Sequence, residues 1–152
     1  MSLGLWLPAA LVASALAPLP LSQLPGDLKP LVTTLQRHGF NVRIALPPAR
    51  GSYGLFQSKT RTLWISPLAF HLGIARQTFL HEATHAAQSC PSGRLTPLGW
   101  TLKVDPVVDS AIRANLLKSY HHASHALERE AFFVQGQPNA VTRLVQSLDE
   151  RC

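Results

Sequence analysis

Cysteine is nearly missing from this chain: two residues in 152, Cys90 and Cys152. That scarcity excludes a cysteine-rich zinc ribbon and a disulfide-dense small fold, and the two have no metal-ligand spacing to each other. The count permits one disulfide in an oxidising compartment or two thiols, and does not choose between them. Acidic residues are also few, eight against fourteen basic ones, so the net charge is +6 and the pI near 10.0. A balance of that sign invites a nucleic-acid reading. The ten Arg and four Lys are scattered singly, however, with no run of three and no nucleic-acid-binding motif. No nucleic-acid partner is therefore expected, and a basic nucleic-acid-binding domain ranks last among the alternatives. Diffuse positive charge of this kind suits acidic partners, anionic lipid surfaces or solubility. There is no internal repeat, and no low-complexity tract beyond the apolar leader.

Lys and Arg are absent before Lys29, leaving only the amino terminus to supply positive charge, and residues 3–17 are almost wholly apolar. Ala13-Ser14-Ala15 offers the small-x-small pattern of a signal-peptidase site, so residues 1–17 read as a signal peptide or hydrophobic leader. The expected location is extracytoplasmic, periplasmic or secreted. Uncleaved, the stretch to Leu24 approaches the length of a membrane anchor, although Pro8, Pro18 and Pro20 oppose a regular span. Pro18, Pro20, Pro25 and Pro30 make residues 18–30 an extended linker, which leaves residues 31–152 as a single domain.

Within that domain the expected elements alternate between two periods. A helix over 27–38 ends at Gly39. Three short strands follow at 41–46, 53–57 and 61–65, with Ser58, Lys59 and Thr60 as the turn between the last two. After the breaker Pro67 and the loop-like Gly73, residues 74–89 contain no Gly or Pro and carry four Ala among apolar residues at helical spacing. Cys90-Pro91-Ser92-Gly93 ends that helix. Pro106, with Asp105 as cap, opens a helix over 107–118, a further helix carries Glu128, and Gly136 and Pro138 separate it from a last one over 139–148. The fold class is α+β with helices dominant.

The chemistry is concentrated in His81-Glu82-Ala83-Thr84-His85, an HExxH pattern. Residues four apart lie one turn above each other on a helix, so both imidazoles can reach one metal ion. Glu82, about 100° round the helix, lies beside the metal's open position and can act as general base toward water. With seven His and four Glu, chance alone makes such a match in on the order of one shuffled chain in a hundred, so its helical setting and a third ligand carry the weight.

A third ligand has one good source. Glu128-Arg129-Glu130-Ala131 lies forty-three residues beyond His85 in a second apparent helix. With His81, Glu82 and His85 it resembles the Glu-x-x-Ala element of gluzincin-type zinc peptidases, in which the Glu is the third zinc ligand and the Ala lets two helices approach closely. The metzincin pattern does not fit, since Pro91 and Gln88 stand where that clan has His and Gly. Phe132 replaces the Asp that follows the Ala in CAAX-processing membrane peptidases. The resemblance implies a minimal zincin-like metallopeptidase domain holding one Zn2+ through His81, His85 and Glu128, with Glu82 as catalytic base and a peptide or protein as substrate. It also implies a small twisted sheet beside the active helix, whose edge strand, residues 62–65 or a neighbour, would bind extended substrate.

Alternatives remain open at several positions. Glu130 is the alternative third ligand, pointing about 200° away from Glu128 on the same helix. His121, His125 and Glu128 form a polar stripe at i, i+4 and i+7, so His125 could orient Glu128, bind a developing oxyanion or replace Glu128 as ligand, and Tyr120, His121 or His122 could supply a hydrogen bond to the oxyanion. A catalytically inactive zinc-binding module is the main competitor to an enzyme, and retention of Glu82 counts against it.

Overall fold

A computed structural model of the chain describes residues 16–119 and 124–152. The architecture is α+β: a three-stranded mixed sheet and six α-helices among the described residues. The apolar leader, apart from its last two residues, together with Tyr120 and His121 lies outside the described residues. Among those described, no helix is long and apolar enough to cross a membrane.

The Pro-rich stretch lies against the domain instead of leading away from it. Leu19 forms an isolated bridge to Ile44, 3-10 turns occupy Leu21–Gln23 and Gly26–Leu28, and Leu24 and Leu28 are buried in the core. Helix α1 (Lys29–Arg37) follows directly, with Pro30 in its first turn, where a missing N–H costs nothing. Leu31 and Leu35, four apart, bury one face of α1.

Strands β1 (Asn41–Ile44), β2 (Gly54–Gln57) and β3 (Thr62–Ile65) are each shorter than the sequence pattern suggests. Pro47 and Pro48 lie just beyond β1, where proline cannot donate to a ladder. Arg61, expected to begin β3, instead has a left-handed backbone, φ 52°. Its guanidinium stacks 4.0 Å above the Phe40 ring, which holds the turn in place. The sheet order is β1-β3-β2, with β1 parallel and β2 antiparallel to β3. Thr62–Ile65 is therefore the central strand and cannot be the substrate edge; its neighbour β2 is an outer strand.

Pro67, read as a breaker, starts a short helix α2 (Pro67–His71), because the Ser66 hydroxyl accepts from the Leu68 N–H and caps it. Helix α3 (Ala75–Gln88) carries the HExxH residues. Eleven of its fourteen residues are buried, so it is the central element and not a surface helix. It packs on β2 and β3 at one side and on α5 (His125–Gln135) and α6 (Ala140–Arg151) at the other. Helix α4 (Pro106–Ser119), capped by Asp105 through the Val107 N–H, leans on α5 and leaves Val107, Val108 and Leu117 exposed.

One core unites these layers. Leu31 and Leu35 of α1, Leu63 and Ile65 of β3, Phe79, Leu80 and Ala83 of α3, Val134 of α5, and Leu144 and Leu148 of α6 form a continuous cluster. The alanines of α3 set its tightness: Ala83, Ala86 and Ala87 are wholly buried, so neighbouring elements approach the α3 backbone closely.

Candidate metal centre

The His81 and His85 side chains project from one face of α3, as their four-residue spacing requires. Glu128 meets them from the first turn of α5, where the positive end of the helix favours a carboxylate. The Glu128 carboxylate spans both rings, Oε2 at 2.9 Å from His81 Nε2 and Oε1 at 3.1 Å from His85 Nε2. The two Nε2 atoms are 3.2 Å apart. One donor atom from each residue lies within 4.8 Å of the others, so the three could hold a metal ion. Two imidazole nitrogens and a carboxylate oxygen are a donor set that suits a borderline divalent cation such as zinc.

The far side of each ring is also occupied. His81 Nδ1 lies 2.9 Å from Gln135 Oε1, and His85 Nδ1 lies 2.7 Å from Gln88 Oε1. An amide oxygen only accepts, so each Nδ1 faces it as N–H, and Nε2 is the nitrogen of each ring that a metal ion would take. Phe132 packs edge-on against the His81 ring, centroids 4.6 Å apart, and limits its rotation.

Electrostatics follow from this crowding. Burial would raise the Glu128 pKa, but hydrogen bonds and attraction from His81 and His85 win and hold it down at about 2. Burial works against a charged His85 too, and the Glu128 carboxylate more than offsets it, leaving the His85 pKa raised. Glu82 behaves differently. It is buried, and desolvation outweighs its attraction to His81 and His85, so its pKa stands above that of an ordinary glutamate.

Glu82 sits beside the three donors without being one of them. Two hollows flank it. One of about 240 Å³ reaches His81, His85 and Glu128 beneath Gly54, Phe56 and Leu95. A larger one of about 700 Å³ runs past Tyr53, Ile74, Gln77 and Phe132. Gly54 matters by what it lacks: a Cβ there would lie 2.8 Å from Glu82 Oε1 and 2.6 Å from Thr78 Cγ2. The strand can press on the carboxylate only because that position has no side chain.

No known family model, no curated protein and no solved structure matches this chain. The geometry therefore stands on its own residues.

Other expected site residues fall elsewhere. Glu130 faces away from the imidazoles: its carboxylate accepts from Gln88 Nε2 at 2.9 Å, Leu98 N at 2.7 Å and Gly99 N at 3.0 Å. His125 borders a separate hollow between α4 and α5, with Arg113, Leu116 and Arg129. Tyr120, His121 and His122, offered for the oxyanion, lie outside the described residues. Gln88, Gln135, Phe132 and Gly54 were not singled out as partners of the site by sequence reasoning. A signal existed for three of them. Gln88 follows His85 by three, while Phe132 and Gln135 follow Glu128 by four and seven, so the useful stripe on α5 runs downstream of Glu128 as well as upstream.

Proposed function

We propose that this protein is a zinc-dependent hydrolase, and specifically a metallopeptidase, in which His81, His85 and Glu128 hold one ion and Glu82 is the general base. The observation that carries the reading is the placement of Glu82: a buried carboxylate beside the three donors, opening onto a cleft. A purely structural metal site needs donors and has no use for a further buried acid there. Zinc, when bound, polarises a carbonyl and makes water a better nucleophile.

The chain's own residues supply the remainder. Glu82, whose hold on a proton is strengthened by burial, takes one from the attacking water and delivers it to the departing amine nitrogen. The missing side chain at Gly54 leaves room for that carboxylate beside β2. A peptide substrate is favoured because β2, an outer strand, borders the smaller hollow through Gly54, Leu55 and Phe56 and suits pairing with an extended chain. An extracytoplasmic location is supported by the disulfide between Cys90 and Cys152.

Metal content of the purified protein, measured with turnover of a quenched-fluorescent peptide library, tests this. Wild type and Glu82→Gln should each carry one equivalent of zinc, and His85→Ala none. Glu82→Gln should lose about 10²- to 10⁴-fold in turnover. Equal rates in wild type and Glu82→Gln would remove the base; zinc without any turnover would favour a non-catalytic binding module.

A further inference from the structure

Gln88 is wholly buried, and its side chain makes three polar contacts. Its amide oxygen accepts from His85 Nδ1 at 2.7 Å. Its amide nitrogen donates to the Leu127 carbonyl at 3.1 Å and to Glu130 Oε1 at 2.9 Å. A carbonyl and a carboxylate can only accept, so the amide nitrogen must face them and the oxygen must face His85. That orientation favours hydrogen on His85 Nδ1 and leaves Nε2, 3.1 Å from Glu128 Oε1, as the nitrogen that a metal ion would take. Glu130 in turn accepts from the backbone N–H groups of Leu98 and Gly99, in the loop between α3 and α4. Leu95 of the same loop lines the hollow over the three donors.

We propose that Gln88 is a positioning residue that sets the tautomer and ring plane of His85, and that Glu130 acts through it, coupling the loop at Leu98–Gly99 to the metal-binding nitrogen. The zinc arm of the test rests on the hydrolase reading; the tautomer arm does not. Gln88→Leu keeps the volume and removes both halves of the relay. Gln88→Met, which keeps the unbranched chain, carries the same readouts if the Leu variant fails to fold.

In metal-free protein at alkaline pH, long-range nitrogen–proton NMR should show His85 as the Nδ1–H tautomer in wild type. Gln88→Leu should shift it to the Nε2–H form or a mixture. Zinc affinity, measured by chelator competition, should fall about 10- to 100-fold in Gln88→Leu. Glu130→Gln should weaken zinc less, and should add nothing in the Gln88→Leu background, because its effect passes through the missing amide. An unchanged tautomer with zinc affinity within about twofold of wild type would overturn the proposal. So would a Glu130→Gln loss that persists in full without Gln88. A wild type that takes up no zinc would sink the hydrolase reading, while the tautomer comparison would still decide the role of Gln88.

Discussion

At the residue scale, Glu82 is a buried acid whose charge costs stability. Its carboxyl pKa in the folded chain lies above the ordinary value of 4.5, with burial as the leading cause. Between those two values the folded protein binds more protons than the unfolded one, so stability falls as pH rises through that interval and stays lowered above it. Metal-free Glu82→Gln should therefore be more stable than metal-free wild type at neutral pH, and the gain should fade as the pH is brought down toward 4.5. Urea unfolding at a series of pH values reads this directly; no gain at neutral pH would mean that the carboxylate is held favourably. Gly54 gives a second test. Gly54→Ala would place a methyl within 3 Å of Thr78 and Glu82, at a cost of about 1–3 kcal/mol. On the proposed hydrolase reading, turnover should drop while zinc content stays at one equivalent, since Glu82 moves and the three donors do not.

At the scale of elements, the end of α6 fastens the end of α3. The Cys90–Cys152 disulfide closes a separation of 62 residues. Beside it, the Arg151 guanidinium donates to the carbonyls of Ala87 at 3.1 Å, Cys90 at 3.3 Å and Thr96 at 3.3 Å, tying the end of α3 to the loop that follows it. Reduction should cost about 2–4 kcal/mol, mainly by releasing the unfolded chain. Urea melts with and without reductant measure it, with Cys90→Ser/Cys152→Ser as the control that should ignore reductant. A loss well under 1 kcal/mol would show that Arg151 and the α6 core contacts suffice.

Across the whole molecule, the site depends on how closely α3 and α5 approach. Ala131 is wholly buried on α5, one turn beyond Glu128. Ala131→Leu should force the helices apart, cost about 1–3 kcal/mol, and, on the proposed metal-binding reading, weaken zinc binding by separating Glu128 from the imidazole pair. Calorimetry with chelator competition distinguishes loss of fold from loss of affinity; undiminished zinc affinity would show that α5 can shift without moving its carboxylate. Positive charge is also organised at this scale. Arg43, Arg61, Arg129 and Arg143 stack on aromatic rings. Arg37, Arg76 and Arg113 pair with carboxylates, and Arg151 bonds carbonyls. Eight of the ten arginines thus have structural partners, so much of the basic excess serves the fold.

The sequence by itself determined the α+β class, the span of the HExxH helix to within a residue at each end, and the facing of His81 and His85, because these follow from local periodicity and from the Gly and Pro breakers on either side. It also supplied two acids, Glu128 and Glu130, whose opposite directions on one helix follow from its pitch. Which of them meets the imidazoles was decided only by the packing of α5 on α3, a contact between segments forty-three residues apart. The same holds for the central position of Thr62–Ile65, for the amides of Gln88 and Gln135, and for the space kept open at Gly54. Each depends on distant atoms competing for one volume, and no local pattern in the chain encodes that competition.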